Sequence, residues 1–181
     1  MEESVLSGRI WVLLDRKKRL IEDIDTDQIY HNAFLHITEL SQMGQYALGN
    51  LEGWKDFPEK VHSGDILVAG RNFGAGSSRQ QAVDCFTALN IGLILAPSFG
   101  AIYFRNAVNS GFPVLKCAAL DELVAKKALE TGDKIEVNFR SGEGWDISKD
   151  IFFKVEPMSA VQYDILKAEG LFNYGKKLGH E

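Results

Sequence analysis

Three short apolar runs along the chain each precede a stretch in which apolar residues recur at helical spacing. The runs are residues 66–69, 91–96 and 113–116, and the helical stretches are 80–89, 98–109 and 120–130. Ser98 is expected to cap the second of these helices, and Gly111 to close it. Strands that alternate with helices in this way predict βαβ units on a parallel sheet. The fold class predicted from the pattern is therefore α/β.

The remaining segments complete this prediction. Further strands are expected at 7–14, 134–139 and 151–155, further helices at 39–48 and 159–171, and irregular structure at 50–64 and in a polar loop at 141–149. The basic run at 15–19 is expected to be a solvated insertion, such as a hairpin tip. One domain is predicted over residues 1–181, with a core of about 6–156 and a C-terminal helical tail at 157–181.

Composition narrows the class of protein. Hydrophobic residues make up 45% and charged residues 25% of the 181 positions, as in soluble globular domains with a real core. The net charge of −5 argues against a nucleic acid or an anionic membrane as partner. No apolar run approaches the roughly 18 residues that span a bilayer, and residues 1–4 lack the features of a signal peptide. A cytoplasmic location is expected.

Three glycines within seven residues mark the junction between the strand at 66–69 and the helix at 80–89. Gly70, Gly74 and Gly76 permit positive φ angles and close approach of a ligand. Ser77 or Ser78 is expected to cap the helix, whose free N–H groups then form an anion site. An arginine follows directly, and its forked donors suit a carboxylate or phosphate. On these residues alone, an ordinary turn in which the serines only cap the helix remains the alternative.

Two common glycine motifs do not match this turn. The dinucleotide-binding pattern requires a third glycine where the chain has Arg79. The phosphate loop of nucleotide hydrolases requires a lysine that the turn does not contain. Neither type of nucleotide site is therefore predicted.

The acidic segment at 22–27 contains four carboxylates in six residues. A calcium loop would also need a glycine and a terminal glutamate that are missing here. Side chains that bond nearby backbone amides, as in an Asx turn, are the expected local role. No metal site is predicted.

The chain has only two cysteines, Cys85 and Cys117. They are too few for a disulfide framework, a tetrahedral zinc site or an iron–sulfur cluster. Cys85 is expected to be a buried structural thiol.

Three motifs in order resemble the small subunit of 3-isopropylmalate dehydratase and, equally, the mobile C-terminal domain of aconitase and homoaconitase. They cover residues 6–116 and read Asp23-Ile24-Asp25-Thr26-Asp27-Gln28-Ile29, Gly70-x-Asn72-Phe73-Gly74-x-Gly76-Ser77-Ser78-Arg79 and Ser98-Phe99-x-x-Ile102-x-x-Arg105-Asn106-Ala107-x-Asn109-x-Gly111. The resemblance implies a single swivelling β/β/α domain. It also implies a hydro-lyase that isomerises 2-isopropylmalate and 3-isopropylmalate by dehydration and rehydration, in leucine biosynthesis.

The resemblance further assigns roles to individual residues. Ser77 corresponds to the catalytic base, and Ser78 and Arg79 to groups that bind a substrate carboxylate. The stretch Phe34, Leu35, His36 and Ile37 corresponds to the loop that contacts the variable arm of the substrate. The other residues expected at the active-site loops are Asp25, Thr26, Asp27, Asn72, Gly74 and Gly76. Asp25 to Asp27 lie at the edge of the site in this family.

The same resemblance implies partners. A 4Fe-4S cluster is expected on a separate large subunit, with no cofactor bound by this chain, and the substrate is expected to be a small di- or tricarboxylate. A homo-oligomer of the isolated chain is left open. The alternatives are a homoaconitase or other alkylmalate dehydratase subunit, or a non-catalytic metabolite-binding relative.

Some positions depart from the family pattern. Gln80 replaces a carboxylate, and if that carboxylate orients the arginine in relatives, Gln80 is expected to hold it more weakly. Ala75 replaces a frequent cysteine. Gly100 and Ala101 replace the usual Ala-Arg and remove one cation. The stretch 34–37 matches neither the isopropylmalate nor the homoaconitase pattern, so the exact substrate stays open.

Overall fold

Seven strands form one mixed sheet in the computed structural model, which describes residues 4–179. The strands are β1 (Val5–Val12), β2 (Ile66–Val68), β3 (Leu93–Ala96), β4 (Val114–Lys116), β5 (Lys134–Asn138), β6 (Glu143–Asp146) and β7 (Ile151–Lys154). Their order is β4-β3-β2-β1-β5-β6-β7. Strands β1 to β4 pair in parallel and β5 to β7 pair antiparallel, so β1 joins the two halves. The predicted mixed α/β class is confirmed.

Eight α-helices accompany the sheet within residues 4–179. They are α1 (Thr26–Ile29), α2 (Leu40–Met43), α3 (Phe57–Lys60), α4 (Gln81–Ala88), α5 (Ala101–Asn109), α6 (Leu120–Ala125), α7 (Ala160–Lys167) and α8 (Leu171–Leu178), with 3-10 turns at Asn32–Phe34 and Gly44–Tyr46. None of the helices in this part of the chain is long and apolar enough to cross a membrane.

The parallel strands are buried on both faces. Leu67 and Ile94 belong to one apolar cluster, which includes side chains of α4 and α5. Their neighbours Ile66 and Leu93 belong to the other cluster, which includes side chains of α6 and α7. Successive residues of a strand point to opposite faces, so a strand covered on both sides must be apolar throughout. This explains the continuous apolar runs that predicted these strands.

Several predicted boundaries differ from the observed ones. The expected polar loop at 141–149 contains strand β6, which pairs with β5 and β7. The polar sequence of Glu143–Asp146 gave no apolar pattern from which a strand could be predicted. The helix expected at 39–48 is α2 followed by a 3-10 turn. The helix expected at 120–130 stops at Ala125, and Lys127 has a φ of 57° that an α-helix does not allow.

The C-terminal region holds two helices where one was expected with a tail. Ser159 caps α7 through a capping box with Gln162, as predicted, but this helix ends at Lys167 and α8 follows after Gly170. The prediction of one domain over residues 1–181 stays a prediction. The expectation about a signal peptide concerned residues 1–4, of which residues 1–3 lie outside the described residues.

The basic insertion forms the hairpin tip that was expected. Leu14 and Leu20 form an antiparallel bridge across its base. The carboxylate of Asp15 accepts hydrogen bonds from the backbone N–H groups of Lys17 and Arg19, at 2.7 and 3.0 Å. These bonds close the turn at the tip and stabilise its backbone.

Loops after the parallel strands meet at one edge of the sheet. The N–H of Gly70 donates to the carbonyl of Ile21 at 3.2 Å, and the N–H of Phe73 donates to the carbonyl of Ser98 at 3.1 Å. The predicted cap at Ser98 is wrong, because α5 begins at Ala101 after Gly100 without a side-chain cap. The Ser98 hydroxyl instead accepts the N–H of Asn72 at 2.9 Å and so holds the glycine-rich turn.

Gly74→Ala tests the packing of this turn. Gly74 has a φ of 78°, and an added Cβ would lie 2.2 Å from Cγ of the buried Tyr103 ring. We expect a loss of unfolding free energy of about 3 kcal/mol, from backbone strain plus overpacking. Gly53→Ala is the control: Gly53 has a φ of 82° but nothing within 4 Å of the added Cβ, so about 1 kcal/mol is expected. Equal losses in urea unfolding would contradict the packing argument.

Candidate functional site

The glycine-rich turn brings the first two sequence motifs side by side. Asn72, Gly74 and Gly76 all have positive φ angles, of 55°, 78° and 94°. The Asn72 side chain donates to the carboxylate of Asp23 at 2.8 Å, and the N–H of Gly74 donates to the carbonyl of Ile24 at 2.7 Å. The acidic segment and the turn are therefore joined along their length.

A carboxylate of the acidic segment caps helix α1 by bonding nearby backbone N–H groups, which is the local role predicted for this segment. Asp25 is the N-cap, and its carboxylate accepts from the N–H groups of Asp27 and Gln28 at 2.9 and 2.8 Å. The Gln28 side chain returns a bond to the N–H of Asp25 at 2.9 Å, which completes a capping box. The short helix places Thr26 and Asp27 against the turn.

Both predicted serines lie at the surface. Ser77 is exposed, and its Oγ lies 3.3 Å from Oγ1 of Thr26. Ser78 is also exposed, and its Oγ accepts a hydrogen bond from Nδ2 of Asn106 at 3.4 Å. Sequence reasoning placed Asn106 in the third motif but gave it no place in the site. Two hydroxyls from the turn are thus open to a ligand.

The prediction that a serine caps the following helix is wrong. Helix α4 begins at Gln81, its N-cap is Gln80, and no side chain caps it. The backbone N–H groups of residues 76–81 donate to no acceptor among residues 4–179. Successive backbone N–H groups without a protein acceptor are donors available to an anion. Most of the free backbone donors that the structure offers here therefore belong to the turn, and fewer belong to the helix terminus.

Arg79 is held from one side only. Its Nη1 donates to Oδ1 of Asp27 at 2.6 Å and to the carbonyl of Tyr30 at 2.9 Å, and its side chain is 15% exposed. Nε and Nη2 have no partner among the described residues. A guanidinium offers paired donors to a carboxylate, so this free edge is available for such a group.

Asp27 anchors Arg79 and the loops around it. The carboxylate of Asp27 also accepts from the N–H of Asn32 and from Nδ2 of Asn50, both at 3.0 Å. The Arg79 hydrogen bond is the main reason why the pKa of Asp27 lies below its ordinary value. Sequence reasoning missed Asn50 and the carbonyl of Tyr30. Neither has a local signal, because one belongs to an irregular connection and the other is a backbone group.

Gln80 does not take part in holding the arginine. Its Nε2 donates to Oδ1 of Asp84 and to Oγ of Ser110, both at 2.8 Å. The arginine is oriented by Asp27, and the amide at position 80 links α4 to the end of α5. Burial raises the pKa of the Asp84 carboxyl.

The stretch at 34–37 divides into two kinds of residue. The ring of Phe34 stacks on Tyr46 with centroids 4.0 Å apart, and Ile37 packs against the core. Leu35 and His36 are exposed. The stretch is connected to the turn through Tyr30, whose carbonyl accepts from Arg79 and whose hydroxyl donates to the carbonyl of Phe34 at 3.2 Å.

The two cysteines lie on different faces of the sheet. Cys85 is fully buried in the cluster that includes α4, and Cys117 is buried in the opposite cluster. The buried structural thiol predicted at Cys85 is confirmed, and burial raises its pKa well above the ordinary value. No group of three or more His, Cys, Asp or Glu side chains within residues 4–179 is placed to bind a metal ion. These cysteines do not fit an iron–sulfur cluster.

Comparison with known proteins gives matches over most of the chain. The family model for the aconitase C-terminal domain matches residues 16–120. The isopropylmalate/citramalate isomerase small subunit of Methanocaldococcus jannaschii is 34% identical over 174 residues, which are 96% of this chain and 95% of that protein. The 3-isopropylmalate dehydratase small subunit of Caldicellulosiruptor saccharolyticus is 37% identical over 155 residues, 86% of each. A crystal structure of 3-isopropylmalate dehydratase from Methanocaldococcus jannaschii has a TM-score of 0.82 and 31% identity, covering 97% of this chain and 95% of that one.

Asp27→Asn tests the anchoring of Arg79. A pKa that folding depresses contributes stability above the ordinary value of 3.8, and this contribution is lost as the pH falls through the lower, folded value. We expect the variant to be less stable than the parent by about 1 kcal/mol at pH 7, with the gap closing at pH values below 3.8. Urea unfolding across that range measures it. Asp164→Asn, at an exposed carboxylate on α7, is the control, and a gap that does not depend on pH would contradict the argument.

Proposed function

Because the chain belongs to the aconitase C-terminal domain family, together with the 3-isopropylmalate dehydratase small subunits, we propose a function of the same type. The chain is proposed to be the small subunit of an aconitase-type hydro-lyase. The proposed reaction interconverts 2-isopropylmalate and 3-isopropylmalate by dehydration and rehydration. These matches confirm the family resemblance and the fold that its motifs predicted. The roles of individual residues and the substrate are the proposal.

The observation that carries the proposal is the contact between two motifs that are about fifty positions apart. Thr26 contacts Ser77, and Asp27 contacts Arg79, at an exposed turn whose N–H groups at 76–81 have no acceptor within residues 4–179. A hydroxyl, a guanidinium edge and an anion-binding backbone surface therefore face solvent together. A structural role alone does not require these groups to be left open.

Ser77 is proposed as the base that removes a proton from the substrate carbon and returns it. A serine hydroxyl is a weak base at neutral pH unless its deprotonated form is stabilised. The Thr26 hydroxyl, at 3.3 Å, and the free N–H groups of the turn are the donors at hand for that purpose. The proton would be held at Ser77 Oγ between the two half-reactions.

Arg79 and Ser78 are proposed to bind a carboxylate of the substrate. The free Nε and Nη2 edge of Arg79 fits a bidentate pair, and Asp27 fixes the plane of the guanidinium from the other side. Ser78 Oγ already accepts from Asn106, so its own hydrogen is free to be donated. Substrate carboxylates would thereby be positioned against Ser77.

Leu35 and His36 are the residues of the variable stretch that are proposed to face the substrate arm. Phe34 and Ile37 instead support them from the core. Leu35 is 37% exposed and suits an isopropyl group. The exposed imidazole of His36 suits a more polar arm, so other alkylmalates and homocitrate are included in the assay.

The proposal requires a partner. Dehydration in this family depends on Lewis-acid chemistry at an iron–sulfur cluster, and this chain's two cysteines do not fit one. A large subunit that binds the cluster is therefore proposed to cover the exposed turn. The contribution of this chain is to place Ser77 and to bind the carboxylates.

Anaerobic co-expression with the large subunit from the same genome tests the function. The complex is expected to convert 2-isopropylmalate, with citrate, homocitrate and citramalate as competing substrates, and the isolated chain is expected to be inactive. Ser77→Ala should lower kcat by about 10²- to 10⁴-fold, the usual contribution of general acid–base catalysis. Ser141→Ala, at an exposed serine before β6, is the control. Full turnover by the Ser77→Ala complex would contradict the role of this hydroxyl.

Arg79→Lys tests carboxylate binding in the same complex. A lysine keeps the charge but cannot form two parallel bonds, so kcat/KM should fall by about 10- to 100-fold, mainly through a higher KM. Arg71→Lys is a matched control, since Arg71 lies in the same turn but pairs with Asp121 at 2.9 Å. Equal kinetic parameters for Arg79→Lys and Arg71→Lys would show that the paired guanidinium donors of Arg79 do not bind the substrate carboxylate.

A further inference from the structure

A groove of about 1040 Å³ lies beside helix α1, away from the glycine turn. Its walls are the hairpin tip at 14–18, the connection at 51–54 and the segment at 124–131 that begins at the end of α6. Gln28 reaches one wall, and the same side chain completes the capping box of α1. The groove and the candidate site therefore share one short helix.

The carboxylates that line this groove are already paired. Asp15 bonds Arg19 at 2.9 Å, Glu52 bonds Arg16, and Glu130 bonds Lys149 at 2.9 Å. The ammonium groups of three lining lysines have no hydrogen-bond or ion-pair partner among residues 4–179. These lysines are Lys17, Lys18 and Lys127. A chain with a net charge of −5 thus has a local surplus of positive charge here.

The groove also has an apolar wall. Trp54 is half-buried, its ring packs edge-on against Phe57 with centroids 6.4 Å apart, and its Nε1 donates to the carbonyl of Leu14 at 3.4 Å. A fixed tryptophan with apolar neighbours and a charged rim is the usual make-up of a protein interface. Asp15 holds the backbone of the hairpin tip, so binding of a partner requires ordering of the lysine side chains but little ordering of the backbone.

We propose that this groove receives an acidic segment of the large subunit. Carboxylates of that segment would pair with Lys17, Lys18 and Lys127, and an apolar side chain would cover Trp54. The proposal rests on the proposed function, which requires a partner over the neighbouring turn. Because the groove is open to solvent, it suits an extended segment of another chain better than a small molecule, which pockets bury almost completely.

Charge reversal tests the proposal in the assembled complex. The variant Lys17→Glu/Lys18→Glu/Lys127→Glu is compared with Lys134→Glu/Lys154→Glu/Lys177→Glu, which makes the same charge change at exposed lysines that do not line the groove. Affinity for the large subunit is measured by calorimetry at low and high salt, and thermal unfolding checks that both variants fold. We expect the groove variant to bind about 10- to 100-fold more weakly at low salt, and we expect added salt to weaken the parent complex but not the variant complex, with the control close to the parent.

The outcomes separate this proposal from the proposed function. If the parent chain forms no active complex, the function itself fails. If the parent complex is active and both variants bind equally well, the docking proposal is wrong while the function stands. At saturating large subunit, the groove variant should retain the parent kcat, and a large loss of kcat there would overturn the docking role.

Two other occupants are tested on the isolated chain. Citrate, used as a small-anion probe, should cause no saturable change in tryptophan fluorescence that depends on the three lysines. Sedimentation should show no self-association that the groove variant abolishes. A positive result in either measurement would reassign the groove, to a small anion or to a second copy of the chain.

Discussion

The ion pair between Asp27 and Arg79 is the interaction on which the candidate site depends. It joins a short helix from the start of the chain to a turn that follows the second parallel strand, and it brings in the carbonyl of Tyr30 and the amide of Asn50. Without this pair the arginine would have many conformations, because its side chain has four rotatable bonds. With it, one edge of the guanidinium is fixed and the other remains free, which is what recognition of a carboxylate requires.

The glycine-rich turn makes this arrangement sterically possible. Gly70 and Gly74 approach the backbone of Ile21 and the ring of Tyr103 so closely that a Cβ at either position would lie within 2.5 Å of them. Positive φ angles at Gly74 and Gly76 shape the turn before helix α4, and the N–H groups of residues 76–81 have no acceptor among residues 4–179. These backbone donors are available to an anion.

The site is a surface, and its openness accords with the proposed division of labour between two chains. Ser77, Ser78, Leu35 and His36 are exposed, whereas closure of an active site excludes bulk water and strengthens the electrostatic interactions inside it. The groove at the hairpin tip shares helix α1 with this site through Gln28, and three of its lysines have no partner among residues 4–179. A partner that covers the turn and enters the groove would close the site and fix its orientation in one step.

The sequence by itself determined the fold class, the strands with continuous apolar runs, the glycine turn and the segments that form the candidate site. These features are local, because periodicity, turn chemistry and short motifs depend on neighbouring residues. Only the tertiary structure decided that Gln80, and not a serine, is the N-cap of α4, that Ser98 binds Asn72 and that β6 exists at Glu143–Asp146. It also decided that Arg79 is held by Asp27, which Asn50 supports, and not by position 80. Each of these depends on which distant group satisfies a hydrogen bond, and the pattern of residues along the chain does not contain that choice.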